Sequence, residues 1–261
     1  MIVKRRFESK WANRAAQAGI TLAAVGFFLL IRPDIYAHAR DTVEANYQQK
    51  VLTPKIIAEY LRTTPKPKIQ IGAGPSNAAG WLNTDIEPTP GQAYVDATKP
   101  MPFPDGTVYY IFGEHVIEHL DYDDALGFFK EAHRVLAPGG KLRMVTPNLN
   151  QFIALFNEPD VEHSAKTSQY IARKLDSQKN WAKTIDPACL ILNNEMHAFG
   201  HMFLYTPKML KESYRLAGFT DIRQYLAGET SDQTFTTVEL RPRGEWKDVN
   251  AFEAMAIEAT R

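Results

Sequence analysis

Between residues 68 and 145 the apolar positions fall into short runs whose period switches between two and about three and a half. Ile69 and Ile71 alternate with polar neighbours and predict a strand at 68–72. Trp81 and Leu82 open a second at 81–85, Tyr94-Val95-Asp96 reads as a short third, and Val108 to Phe112 as a fourth. A fifth covers 141–145. Between the last two, Ala125, Phe128, Phe129, Ala132, Val135 and Leu136 line one face of a helix over 121–136. Upstream, Thr53-Pro54 predicts a helix start, with threonine as cap and proline in the first turn, and the helix ends near Arg62. The link between strands one and two is only about eight residues, too short for a full crossover helix, so an abbreviated turn is expected there. Residues 150–200 break the alternation and predict helical inserts over the substrate side. Thr206-Pro207 starts another helix, which Gly218 ends. Strands at 221–226 and 236–241 are expected to form an antiparallel hairpin at the sheet edge, followed by a peripheral helix at 249–259. Strands alternating with helices mean an α/β sheet.

The first fifty residues lie outside this pattern and read as a helical extension. Residues 15–31 carry no charge and follow Lys4, Arg5, Arg6, Lys10 and Arg14. The segment suits a helix packed on the domain, an interfacial or spanning membrane helix, or a signal peptide with Ala37-His38-Ala39 as its cleavage site. Composition narrows the rest. Thirty basic and thirty acidic residues leave no net charge, which argues against a broadly basic nucleic-acid surface. The single cysteine, Cys189, excludes an intrachain disulfide and a thiolate zinc cluster.

Chemistry concentrates where strand one meets Gly72-Ala73-Gly74. Glycines at the carboxyl end of a strand let backbone approach a ligand with no Cβ in the way. Asp85, ending the next strand, stands where a ribose can offer its hydroxyls. Together they point to a nucleoside-type ligand in the crevice of an open sheet.

The order of motifs is more specific than any one of them. Gly72-Ala-Gly74 and Gly80-Trp-Leu-Asn-Thr-Asp85 come first. They are followed by Pro102-Phe-Pro-Asp105, Glu114-His115, Pro138-Gly-Gly140, Ala217-Gly-Phe219 and Gly228-Glu-Thr-Ser-Asp232. Over residues 66–228 this order resembles the class I S-adenosylmethionine (SAM) methyltransferases, in particular the type 11-like branch. It is most similar to a subgroup with a shortened first helix that often serves surface-glycan assembly. The sequence departs from the family in Gln70 for an acidic residue, in Pro75-Ser76 for a third glycine, and in Tyr109-Tyr110 for the aspartate of strand four. The resemblance implies a Rossmann-like, seven-stranded class I methyltransferase sandwich with SAM as cofactor. The domain would span 51–245, after a helical extension at 1–50 and before a C-terminal helix at 246–261. It implies SAM contacts from Gly72, Gly74, Asp85, Asp96, Ala97, Glu114 and His115. The acceptor expected is a small or carbohydrate-like molecule, methylated at oxygen, with no nucleic-acid partner.

An oxygen acceptor calls for a base, and a histidine titrating near neutrality suits the task. The candidates are His119, His197 and His201. The spacing His115-x-x-Glu118-His119 also occurs in a class of zinc peptidases, where both histidines share a helix face. Some SAM enzymes hold a divalent metal through Glu-x-x-Glu-His at this place, with His115 here standing for the first glutamate. The plainer reading, His115 as a buried histidine capping a loop, assigns no metal to the site. A non-catalytic binding protein that kept the fold is the remaining alternative. Basic residues flank residues 15–31 mainly on the N-terminal side, so a spanning helix would place the domain outside, away from cytosolic SAM. The expected location is therefore cytoplasmic, with residues 15–31 either packed on the domain or in contact with the inner membrane face.

Overall fold

The computed structural model describes residues 43–157, 161–177, 186–239 and 247–261. It divides into a unit of residues 1–51 and a unit of residues 52–261. The described part of the first unit, from residue 43, is helical, and Gln48–Leu52 form a π-helical turn. The membrane or leader reading of residues 15–31 lies outside the described residues. Among the described residues no helix is long and apolar enough to cross a membrane.

The second unit is a seven-stranded sheet. In chain order its elements begin with α1 (Thr53–Thr63), β1 (Lys68–Ile71), β2 (Leu82–Asp85), β3 (Ala93–Tyr94) and β4 (Val108–Glu114). Then come α2 (Tyr122–Val135), β5 (Leu136–Pro147), α3 (Leu149–Ala154), α4 (Val161–Ser177) and α5 (Pro187–His197). The last are α6 (Pro207–Leu216), β6 (Thr220–Leu226), α7 (Lys247–Glu253) and β7 (Ala254–Thr260). The strand order is β3-β2-β1-β4-β5-β7-β6. Neighbours pair in parallel from β3 to β5, and β7 runs antiparallel to both β5 and β6. This is the Rossmann-like methyltransferase sandwich expected from the sequence.

Alternation along the strands sorts side chains onto two faces. Ile69, Ile71, Ile111, Leu142, Met144 and Ile257 pack on one, against Ile57 of α1, Phe128 and Phe129 of α2, and Leu210 and Tyr214 of α6. Phe112, Val145, Ala254 and Ala256 face the other side, where Trp81, Phe235 and Val238 cover them. Polar bonds lace the 227–239 segment to this second face. Asp232 pairs with Lys141 at 2.8 Å, and Glu239 bonds the buried Arg143. The inserts have their own small core of Phe152, Tyr170, Ile191 and Val249.

Three expectations need correction. The partner of β6 is not 236–241. Phe235–Thr237 is a 3-10 turn, and the strand lies at Ala254–Thr260, inside the stretch expected to be a C-terminal helix. Only Lys247–Glu253 is helical there, so the methyltransferase sheet runs past residue 245 to Thr260. Residues 240–241 fall outside the described residues. Finally, Thr53 is the first helical residue rather than the cap, and its hydroxyl accepts from Tyr94 N at 2.8 Å, tying α1 to β3.

The abbreviated first crossover is held by side chains. Asn83 Oδ1 accepts from Ala78 N, and its amide donates to the Ala78 and Trp81 carbonyls. Gln92, fully buried, donates to the carbonyls of Gly74 and Ser76 at 2.8 and 2.9 Å. These bonds stand in for the backbone ladder a crossover helix would have supplied.

Candidate active site

The carboxyl ends of β1, β2 and β4 open into one cavity of about 730 Å³. Its lining includes Gly72, Gly74, Asp85, Asp96, Ala97, Glu114 and His115, together with His119, Val116, Ile86, Leu120 and Val238. All seven residues implied as SAM contacts thus meet at one place, a volume in the range of small-molecule sites.

The cradle is built by backbone geometry. Gly72 has φ 62° and Gly74 φ 55°, both left-handed. A Cβ on Gly72 would lie 2.5 Å from Val116 Cγ2, whereas one on Gly74 would meet no heavy atom within 4 Å. Gly72 is therefore fixed by packing as well as by its dihedral, and Gly74 leaves open space for a ligand. Asp85 Oδ2 accepts from Gly74 N at 2.7 Å and its Oδ1 from Glu87 N at 2.9 Å. An ionised carboxylate has about four lone-pair sites, so two remain open to donors from the cavity. Asp96 Oδ1 takes the amide and hydroxyl of Thr98, at 2.9 and 2.7 Å, and holds the Asp96-Ala97 turn.

Beyond the cradle lies a second group. His115 follows β4 with a left-handed φ of 54°. The residues after it form a 3-10 turn, Ile117–His119, rather than the helix on which His115 and His119 would share a face. His115 instead turns to Glu118 and Asn250, with Nδ1 2.9 Å from Glu118 Oε1 and Nε2 3.2 Å from Asn250 Oδ1. Glu118 is fully buried, and its Oε2 accepts from Thr146 Oγ1 at 3.0 Å. Burial alone would push the Glu118 carboxyl up, but the His115 hydrogen bond and the charges of His115 and His119 outweigh it. The group is held below its ordinary value. A carboxyl held low stabilises the fold above the usual carboxylate range and loses that contribution as acid protonates it.

The insert delivers the third member. Met202 N and Phe203 N both donate to the Glu118 carbonyl, at 2.7 and 3.1 Å, after the left-handed pair Phe199 and Gly200. This brings His201 against His119, ring centroids 4.9 Å apart at 70°. Donor atoms of Glu118, His119 and His201 lie within 4.8 Å of one another. His197 does not join them; it sits exposed at the end of α5 and lines no part of the cavity at the strand ends. The sequence pattern pointed to neither Gln92 nor Asn83 as cradle supports. The only signal was an amide side chain beside a loop too short for a helix.

Residues 70–144 match the type 11 family model, a methyltransferase domain. No curated protein matches the chain. Among solved structures, a SAM-dependent methyltransferase from Archaeoglobus fulgidus is 14% identical, with 82% of this chain and 94% of that one covered and a TM-score of 0.43. One from Mesorhizobium loti is also 14% identical, covering 83% and 98%, with a TM-score of 0.42. The family match spans the strands that carry the glycine cradle, Asp85 and Glu114, so residues 70–144 are similar to a methyltransferase domain of the type 11 family.

Proposed function

We propose that the protein transfers a methyl group from SAM to a hydroxyl of a small, carbohydrate-like acceptor, with the hydroxyl activated at Glu118, His119 and His201. The observation that carries this reading is His119, which lines the cavity of the glycine cradle and also packs on His201. One group thus touches both the cofactor side and a cluster able to take a proton. When bound, SAM supplies an electrophilic methyl carbon. The chain's part is to align the reactants, which is worth several kcal/mol by itself. Gly72 and Gly74 admit the cofactor, Asp85 holds its ribose, and Asp96, Ala97, Glu114 and His115 complete the wall. The two imidazoles activate the acceptor oxygen. His197 has no part in this reading.

Two measurements test it. Asp85→Ala is expected to weaken SAM by about 1–3 kcal/mol, or roughly 5- to 150-fold in Kd, through lost hydrogen bonds to a charged group. Unchanged affinity in calorimetry removes Asp85 from the site. His119→Ala and His201→Ala are expected to lower turnover on a panel of hydroxylated acceptors by about 10²–10⁴-fold, with SAM affinity retained. Full turnover in both variants leaves proximity and orientation to carry the reaction without them.

A further inference from the structure

We infer that Lys174, which lines no part of the cavity at the strand ends, is a positioning residue for His201. It holds the last turn of α5 where a backbone carbonyl fixes the His201 proton on Nδ1, and Nε2 is left as the basic nitrogen. The consequence for turnover rests on the methyl-transfer reading; the geometry stands on the contacts of Lys174.

Lys174 of α4 lies between two carboxylates from other helices. Its Nζ is 2.8 Å from Glu195 Oε1 of α5 and 2.7 Å from Glu253 Oε2 of α7. Tyr170, one turn earlier on α4, donates its hydroxyl to the same Glu253 oxygen at 2.9 Å. Glu195 and Glu253 are only 3% and 9% exposed. Burial alone would lower the Lys174 ammonium, but the charges of Glu253 and Glu195 outweigh it and hold the group above its ordinary value. Apolar side chains of the same volume would stabilise the insert about as well, so stability does not account for the ion group, and the geometry it enforces does.

Two backbone carbonyls carry that geometry to the site. Glu195 lies in the last turn of α5, where carbonyls have no partner within the helix. Its oxygen is 2.5 Å from His201 Nδ1. A carbonyl only accepts, so Nδ1 carries the proton and Nε2 keeps its lone pair. Glu253 ends α7, and its carbonyl accepts from Asn148 N at 2.7 Å. One turn earlier, Asn250 Oδ1 lies 3.2 Å from His115 Nε2. A single ammonium thus sets α5 against α7, and with them the His201 and His115 sides of the site.

The test compares the whole wild-type protein with Lys174→Met and with the double variant Lys174→Met, Glu195→Met. Imidazole nitrogen NMR reads the His201 tautomer, its signals assigned by their absence in His201→Ala. Urea unfolding, SAM calorimetry and turnover on the hydroxylated panel run in parallel. The double variant removes one charge of each sign, so the insert keeps its net charge and is expected to regain the stability that the single variant loses. Wild-type His201 is expected to show the Nδ1–H tautomer alone. Both variants are expected to show a mixture of the two tautomers and to lose about 10²-fold in kcat, with SAM affinity retained. A double variant that regains turnover along with stability overturns the inference, because Lys174 would then be structural only. A tautomer mixture in the wild type, or one unchanged tautomer in all three proteins, overturns it as well. Mixed tautomers in the variants with undiminished turnover support the positioning and count against His201 as the base.

Discussion

Arg143→Met is expected to destabilise the protein by about 3–5 kcal/mol, a large share of the roughly 5–15 kcal/mol that holds a typical domain together. Arg143 has no exposed surface. Its Nη1 donates to Glu258 Oε1 at 2.7 Å, and its Nε and Nη2 donate to Glu239 Oε2 at 2.9 and 2.5 Å. Glu258 is its direct partner across the β5–β7 ladder, and Glu239 belongs to the segment covering the second face. Removing the arginine leaves two buried carboxylates facing one another. The loss should therefore exceed what the hydrogen bonds themselves are worth. The triple variant Arg143→Met, Glu239→Gln, Glu258→Met is expected to recover most of it, because glutamine can still accept from Gly228 N, now bonded to Glu239 Oε1 at 2.7 Å. Urea unfolding of the two variants measures this. A single-variant loss under about 1 kcal/mol would mean that water already screens the triad.

Gly72→Ala is expected to abolish measurable SAM binding and to cost about 2–5 kcal/mol of stability. The left-handed dihedral of 62° accounts for about 1–2 kcal/mol in any residue with a Cβ. The contact with Val116 Cγ2 adds an overpacking term of about 1–3 kcal/mol. Adding Val116→Ala separates the two, since it relieves the contact and leaves the dihedral. Calorimetry and urea unfolding of the single and double variants are the measurements. A double variant as stable as the parent would show that the dihedral carries no cost.

The sequence made β1, β2, β4 and α2 legible because each carries its own local pattern, alternation in β1, short apolar runs in β2 and β4 and a one-face stripe in the helix. It hid β7. Ala254, Met255, Ala256, Glu258 and Ala259 include strong helix formers, and a strand buried on both faces shows no clean alternation. Sheet pairing overrode propensity there. Thr236-Thr237-Val238 misled in the opposite direction, its β-branched residues suggesting a strand where a 3-10 turn caps the apolar face with Phe235. At the site, the glycines and Asp85 were legible from spacing because the cradle is one contiguous stretch. The Glu118–His119–His201 group was not. His201 reaches it only through backbone bonds from Met202 and Phe203 to the Glu118 carbonyl. The left-handed turn at His115 also rotates the expected helical pair apart.

The position of β7 bears on how the chain is made. A chain emerging N-terminus first presents β5 and β6 before the strand that belongs between them, and β7 pairs with β5 from Lys141 through Pro147. Until it arrives, the apolar backbone edge carrying Leu142, Met144 and Val145 stands without its neighbour. Such an edge templates association with other chains. The nascent protein is thus most vulnerable to aggregation between the emergence of β5 and that of β7. Any stop before Ala254 leaves that gap permanently open, so shortened products should be cleared by quality control even though the glycine cradle is intact in them.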